Sequence, residues 1–173
     1  MLTQKVVFYG NTANKIRLLK DDTNLFERMI DVYITGGVIG MLFDKKGEEK
    51  RSENKATIFP NQISKESMRI KYLASLAFLI ENKNDDLDED QLLNKTFADW
   101  FANKKYDNLG EENKYKLFKS YAIGGIDLLY NKIIGDSTGK DSYLRNYYDF
   151  IKEIEKEVID DSSDRAILSG LMN

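Results

Sequence analysis

The longest uncharged run of the chain lies within the stretch NLFERMIDVYITGGVIGMLF, residues 24–43. No charge follows Asp31 until Asp44, and a helix drawn through the stretch is apolar on nearly every side. Such a helix has no face to present to water and has to be buried. Asn24 with Glu27 has the spacing of a capping box, which places the start of the helix there. The stretch therefore predicts a central core helix over residues 24–43.

The glycine pair inside this helix recurs later in the chain. Residues 33–38 (YITGGV) resemble residues 121–126 (YAIGGI). Because a glycine inside a helix costs about 1 kcal/mol relative to alanine, each pair calls for an explanation. Glycines without Cβ atoms let two helices approach closely, whereas the alternative is a kink or a break in each helix. We favour packing, and the candidate helix–helix contact residues are Gly36, Gly37, Gly124 and Gly125.

The composition indicates one globular domain and excludes several kinds of chemistry. The chain has 173 residues, of which 42% are hydrophobic and 32% charged, so it is long enough to bury a core. It has no cysteine and no histidine, which excludes disulfides, thiolate chemistry and the usual zinc ligands and general base. Catalysis would have to use carboxylates, lysine, tyrosine, hydroxyls or a metal held by oxygen atoms. We predict no bound cofactor.

Charge and hydropathy bear on location and partners. The net charge of −3 favours neither a nucleic-acid binder nor an acidic mimic of nucleic acid. The first ten residues lack the apolar run and cleavage site of a signal peptide. The uncharged run of residues 32–43 is shorter than the roughly 20 residues that span a bilayer. We expect a cytoplasmic protein without a membrane partner. The many lysines and asparagines suggest an A/T-rich bacterial or phage genome.

Helical spacing of apolar residues and polar breaks between them divide the rest of the chain. Residues 5–9 (KVVFY) predict a short strand or an extended arm, and no second strand of similar quality follows. Residues 44–55 are charged, mixed in sign and without apolar periodicity, which predicts a solvated, mobile loop. Periodicity predicts five main helices. They span roughly residues 24–43, 64–81, 88–102, 113–134 and 141–159.

Two of these helices carry aromatic stripes. One stripe lies on the helix that begins at Asp88, and the other follows the 3-4 spacing of Leu144, Tyr147 and Ile151. Such a stripe suits the core or the groove of a partner protein. We favour the core in both helices and keep partner binding as the alternative. The candidate interaction surface consists of Phe97, Trp100, Phe101, Tyr143, Tyr147 and Phe150.

Two acidic residues lie in the glycine-containing helices. Asp31 and Asp127 each interrupt an otherwise apolar run. Each marks a narrow wet stripe or pairs with a basic side chain, which is the usual situation for such residues. The alternative is a buried acid pair between the two helices, which would be a candidate site.

Three short motifs resemble known sites but lack essential features. The run Gly135 to Lys140 has three residues between its glycines and is followed by Asp141, so it is not a phosphate loop. Asp86, Asp88 and Asp90 alternate like calcium ligands but lack the required glycine and glutamate. Carboxylate-x-lysine triplets of the nuclease kind occur mainly in predicted loops.

The sequence thus predicts an all-α protein, a single-domain bundle of about five main helices over residues 1–173. Its two halves, residues 24–81 and 113–160, form a possible pseudo-repeat. By elimination we expect a non-enzymatic interaction protein, a small subunit or adaptor of a larger bacterial or phage assembly, with a protein partner that is either a second copy or a different chain. The alternatives are an enzyme that uses carboxylates and a divalent metal, and a weak nucleic-acid-binding accessory protein.

Overall fold

The computed structural model of the protein describes residues 5–82, 88–98 and 108–160. Within these ranges the protein is mostly helical with one short antiparallel sheet, which confirms the predicted all-α bundle with a short N-terminal strand. No described helix is long and apolar enough to cross a bilayer. The elements are β1 (Val6–Tyr9), α1 (Gly10–Asp21), α2 (Met29–Leu42), β2 (Lys55–Ile58), α3 (Pro60–Lys65), α4 (Ser67–Asn82), α5 (Glu89–Leu93), a π-helical turn (Asn94–Ala98), α6 (Asn108–Ile133) and α7 (Lys140–Asp160).

The central helix α2 begins five residues later than its sequence predicts. Asn24 has a left-handed φ of 58° and lies before the helix. The residue that caps α2 is Arg28, whose backbone N–H donates to the carboxylate of Asp31 at 3.0 Å. The predicted start at Asn24 is therefore wrong, because Asp31 rather than Glu27 supplies the acceptor for the free backbone donor.

Helices α2 and α6 cross at the middle of the core. Tyr33 of α2 lies between two aromatic rings, with Phe118 of α6 at 5.2 Å and Phe8 of β1 at 5.7 Å between centroids. Both contacts are edge-to-face, an arrangement that aromatic pairs prefer. All three side chains are buried. Helix α2 packs on α6, α1 and α4, which buries most of its apolar residues, while Val38 and Leu42 are 40% and 43% exposed.

The glycines lie where the two helices are closest, and each helix runs through its glycine pair without a break. A Cβ atom on Gly36 would lie 2.7 Å from Cγ1 of Ile126 and 3.0 Å from the carbonyl oxygen of Ala122. A Cβ on Gly125 would overlap the carbonyl of Gly36, and one on Gly40 would overlap that of Tyr121. The backbones of α2 and α6 therefore touch at these glycines.

The two glycine pairs have different neighbours. Gly36 and Gly37 both face α6, and the ring of Phe118 fills the space where a side chain of Gly37 would lie. Gly125 faces α2, but Gly124 faces the backbone of Lys45 in the segment that follows α2. The similarity of the two sequences is thus not matched by equivalent contacts, and the pseudo-repeat stays a prediction.

The charged segment of residues 45–54, which we call the strap, is held at several points. The backbone N–H of Lys45 donates to Gly40 at 2.7 Å, and that of Gly47 donates to Ser120 at 2.9 Å. Glu49, with a side chain only 8% exposed, accepts from the backbone N–H of Tyr9 at 2.8 Å and pairs with Lys119. Most of the strap is exposed, as the sequence predicts, and these bonds attach it to α2, α6 and β1. Its mobility stays a prediction.

A second strand follows the strap. β2 pairs with β1 in antiparallel register, with Val6 opposite Ile58 and Tyr9 opposite Lys55. The sequence of β2 gives no strand signal of the quality of that in β1, and the sheet stays small, with two strands of four residues each. Phe8 and Ile58 are buried in the core, and both strands pack on α1.

Helix α4 packs on both α2 and α6. Ion pairs join it to its neighbours near both ends, from Arg28 to Glu66 at 2.9 Å and from Lys46 to Glu81 at 2.8 Å. Helix α7, in contrast, packs mainly on α6. The core therefore consists mainly of residues from α1, α2, α4, α6 and the sheet, together with Ile63 of α3 and Phe150 of α7.

Candidate interaction surface

Helix α7 is positioned by the turn that connects it to α6. Gly135 and Gly139 adopt φ angles of 46° and 97°, a region that glycine enters without strain. The side-chain amide of Asn146 donates to the carbonyl of Ile133 at 3.0 Å and to the hydroxyl of Ser137 at 2.9 Å. These hydrogen bonds hold the start of α7 against the end of α6 and determine which side of α7 faces the core.

The apolar side of α7 is wider than the surface that covers it. At the inner edge Phe150 is 2% exposed and stacks on Phe43 at 5.9 Å between ring centroids. At the outer edge Leu144 is 60% and Tyr148 61% exposed. Helical geometry puts about 160° between Tyr148 and Phe150 on the apolar side. Only the half around Phe150 is covered by the described core.

The uncovered half forms a shallow, open depression on α7. Leu144, Tyr147, Tyr148 and Ile151 make its apolar floor, and we call these four residues the α7 face. Asp141 and Arg145 line the edge of the depression. Tyr147 and Ile151 are half-buried, since they lie between the exposed residues and the core.

The structure divides the aromatic residues that the sequence nominates as an interaction surface. Phe150 belongs to the core, so its inclusion in that surface is wrong. Tyr143 and Tyr147 are half-buried and pack against the core. Phe97 is half-buried in the π-helical turn, and Trp100 and Phe101 lie outside the described residues.

The sequence predicts Leu144 in a seam, and neither Leu144 nor Tyr148 belongs to the predicted interaction surface. Both residues fall on the apolar side when the sequence of α7 is drawn as a helix. The periodicity shows that α7 has a wide apolar side, but it does not show which half of that side is exposed. The usable signal is their i, i+4 spacing beside Arg145, which marks the polar edge of the helix.

A second group of exposed apolar residues lies on α4. Met68, Tyr72, Leu76 and Ile80 recur every four residues and are all exposed, although Tyr72 takes part in a further contact. Each step of four residues advances by about 40° around a helix, so the group winds through about 120°. The α7 face spans about 100° on the same geometry and also forms a depression, which makes it the stronger candidate.

The two acids of the glycine-containing helices do not meet. Asp127 is exposed, pairs with Lys15 and accepts from the amide of Asn131 at 3.3 Å. Asp31 is half-buried and pairs with Arg28 at 2.6 Å. The alternative of a buried acid pair is wrong, because each carboxylate lies on the wet side of its helix and has its own basic partner.

A lysine, a glutamate and a tyrosine meet where the strap crosses α4 and α6. The hydroxyl of Tyr121 donates to Glu81 at 3.0 Å, and the ammonium of Lys46 donates to both oxygens of the same carboxylate at 2.8 Å. Burial, followed by the hydrogen bond to Glu81, raises the pKa of Tyr121, while the hydrogen bond from Lys46 lowers the pKa of Glu81.

These pKa shifts suit an anchor better than a catalytic group. A general base or nucleophile works best with a pKa near the working pH. The pKa of Tyr121 moves away from neutral, so its hydroxyl stays protonated and keeps donating to the ionised Glu81. The arrangement joins the strap to two helices.

A buried polar group lies where α4, the π-helical turn and α6 meet. The ammonium of Lys114 donates to the carbonyl of Thr96 at 3.0 Å and lies 5.1 Å from the ring of Phe78. The hydroxyl of Ser75 donates to the same carbonyl at 3.3 Å. Among the described residues, the hydroxyl of Thr96 has no hydrogen-bond partner.

Within the part of the chain that the structure describes, no three acidic side chains lie close enough together to hold a metal ion. The exposed apolar residues of the α7 face make it the strongest candidate site among the described residues. Comparison of the chain with protein-family models, with curated proteins and with solved structures finds no match.

Proposed function

We propose that the protein is a non-enzymatic interaction protein that binds another protein surface through the α7 face. The observation that carries the proposal is the exposure of Leu144 and Tyr148, 60% and 61%, in the middle of a regular helix. Contiguous exposed apolar patches on small proteins often mark interaction sites. Burying these two side chains in a contact would remove apolar surface from water, which is favourable.

The shape and composition of the α7 face favour a protein over a small molecule. Small-molecule sites are concave and enclose most of the ligand, whereas this depression is shallow and open. Tyrosine and arginine are enriched at the centres of protein interfaces, and here Tyr147, Tyr148 and Arg145 lie together. An amphipathic helix packed along α7 is the simplest partner with the right shape.

The wider setting is part of the same proposal. We place the protein in the cytoplasm as a small subunit or adaptor of a bacterial or phage assembly. Its lysine- and asparagine-rich composition supports such an origin.

The test compares proteins retained from a native lysate by the tagged wild type and by two double variants. Leu144→Ser with Tyr148→Ser removes the α7 face and leaves the core side of the helix unchanged. Met68→Ser with Leu76→Ser, a matched change of exposed residues on α4, is the control. We expect a specific protein to be lost with the first variant and retained with the second, with unchanged helical circular dichroism in both. Identical retained proteins for all three would refute the proposal.

A further inference from the structure

We propose that the occupant of the α7 face is a second copy of this chain, bound through antiparallel pairing of α7 with α7. This inference rests on the proposed function, since it names the partner of the same face. A pair of identical chains related by a two-fold axis uses the same patch on both, so the patch has to complement itself. The α7 face does so in one register.

The register follows from the positions of the apolar residues along the helix. Let the two-fold axis pass between Asn146 and Tyr147, perpendicular to both helices. With a rise of 1.5 Å per residue, Leu144 then lies midway in height between Tyr147 and Ile151 of the second copy, about 3 Å from the level of each. The exposed Leu144 of each chain thus packs between two half-buried side chains of the other.

The charges at the edge of the face agree with the same register. Asp141 and Lys152 are equally far from the axis, five and a half residues on either side, and lie on the same edge of α7. Asp141 of one chain therefore faces Lys152 of the second copy, and the contact occurs twice. Arg145 comes level with Tyr148 of the second copy, which suits a cation–π contact. Parallel pairing would instead bring Asp141 level with Asp141 and Lys152 level with Lys152.

Lys152 is available for this contact. Within the chain it pairs with Glu155 at 2.9 Å and lies over the ring of Tyr148 at 5.6 Å. Both side chains of the ion pair are about half exposed, and surface pairs of this kind contribute little. Lys152 can therefore leave Glu155 and pair with Asp141 of a second copy at little cost in free energy.

The size of the contact sets its strength. A pair of single helices buries less than the roughly 800 Å² per partner of a standard stable interface. The dimer is therefore weak and dissociates on dilution.

The test is sedimentation equilibrium of the purified full chain over a wide concentration range. We expect a reversible monomer–dimer equilibrium for the wild type. Asp141→Lys and Lys152→Asp should each raise the dissociation constant about tenfold, a change of about 1.4 kcal/mol. The double variant Asp141→Lys with Lys152→Asp should return to within about threefold of the wild type, because the charges are exchanged and still face each other.

Mixing the two single variants distinguishes charge repulsion from a failure to fold, because an unfolded variant could not pair in the mixture. Each repels itself, but in the antiparallel register a chain with two lysines faces a chain with two aspartates. We expect the mixture to dimerise more tightly than either variant alone.

Two results would overturn self-pairing: a strictly monomeric wild type at all concentrations, or a charge exchange that fails to restore dimerisation. If a monomeric wild type still retains a different protein through Leu144 and Tyr148, self-pairing is refuted and the proposed function stands. If neither occurs, both fail.

Discussion

Gly125 lies where the backbones of α2 and α6 come closest. Helix propensity favours alanine over glycine at this position by about 1 kcal/mol. Packing opposes that preference, because a Cβ atom would overlap the carbonyl group of Gly36 and reach the backbone nitrogen of Gly40. Neither obstacle is a flexible side chain that can swing away. The backbone contact therefore outweighs the propensity.

The substitution Gly125→Ala tests which effect wins. We expect it to lower the free energy of unfolding by about 1–3 kcal/mol, the usual penalty of overpacking a tight core. Asn113→Ala is the control, since Asn113 is exposed on the same helix, and its effect should stay within about 0.5 kcal/mol. Urea denaturation of the three proteins gives the comparison. A more stable Gly125→Ala protein would contradict the close contact.

Buried tyrosines make the stability of the fold sensitive to high pH. Burial raises the pKa of Tyr33 and of Tyr121 above the ordinary value. A group whose pKa is higher in the folded state contributes stability that is complete below its unfolded pKa, about 10, and is lost as pH rises above that value. The loss is about 1.4 kcal/mol per pH unit for each tyrosine that stays protonated in the folded protein.

We therefore expect Tyr33→Phe to reduce the slope of stability against pH between about 10 and 11. The measurement is the free energy of unfolding in urea at several pH values from 8 upwards. Tyr148→Phe is the matched control, since this tyrosine is 61% exposed, and its slope should equal that of the wild type. Equal slopes for all three proteins would show that Tyr33 ionises as readily in the folded chain as in the unfolded one.

At the level of the element, α7 has a covered side and an open side. Phe150→Ala should lower the free energy of unfolding by about 3–5 kcal/mol, because it empties a site in the core beside Phe43. Tyr148→Ala, two residues away on the open side, should change it by less than about 0.5 kcal/mol. Thermal or urea denaturation distinguishes the two at a concentration low enough to keep the chain monomeric. Similar losses of unfolding free energy for both variants would mean that a different side of α7 faces the core.

The helices were predictable because their apolar periodicity is a local property. The α2 sequence is apolar on all sides, and α7 has a wide apolar side, so both were predicted near their observed positions. Which half of α7 stays open depends on the bonds of Asn146 to Ile133 and Ser137, which periodicity does not reveal. The sequence alone therefore does not show which of Phe150 and Tyr148 is the surface residue.

The strap was not predictable for a different reason. Its charged residues match the composition of a solvated loop, and most of them are exposed. The exception, Glu49, is fixed by Tyr9 and Lys119, which lie 40 and 70 residues away in the chain. Gly124, likewise, was expected to face a helix and faces the strap. Such contacts depend on the tertiary structure, so the periodicity of the sequence does not predict them.

For the whole molecule, the distribution of contacts is uneven. Helix α2 is enclosed by α1, α4 and α6, and the sheet and the strap add contacts at the edges of this group. Helix α7 packs mainly on α6, and the described part of the chain leaves one side of it uncovered. A helix attached on one side has fewer contacts to lose when it detaches, so it opens at a lower free energy than the enclosed helices.

Native-state hydrogen exchange should separate the two behaviours. We expect the amides of α7 to exchange through a partial opening, at a free energy clearly below that of global unfolding, and those in the middle of α2 only through global unfolding. Phe150→Ala should speed exchange in α7 more than in α2, because it removes the main buried anchor of α7. Raising the protein concentration should slow exchange in α7 if self-pairing covers its open face. Equal protection of α7 and α2 in the dilute wild type would show that the bundle opens as one unit, and α7 would then belong to the core.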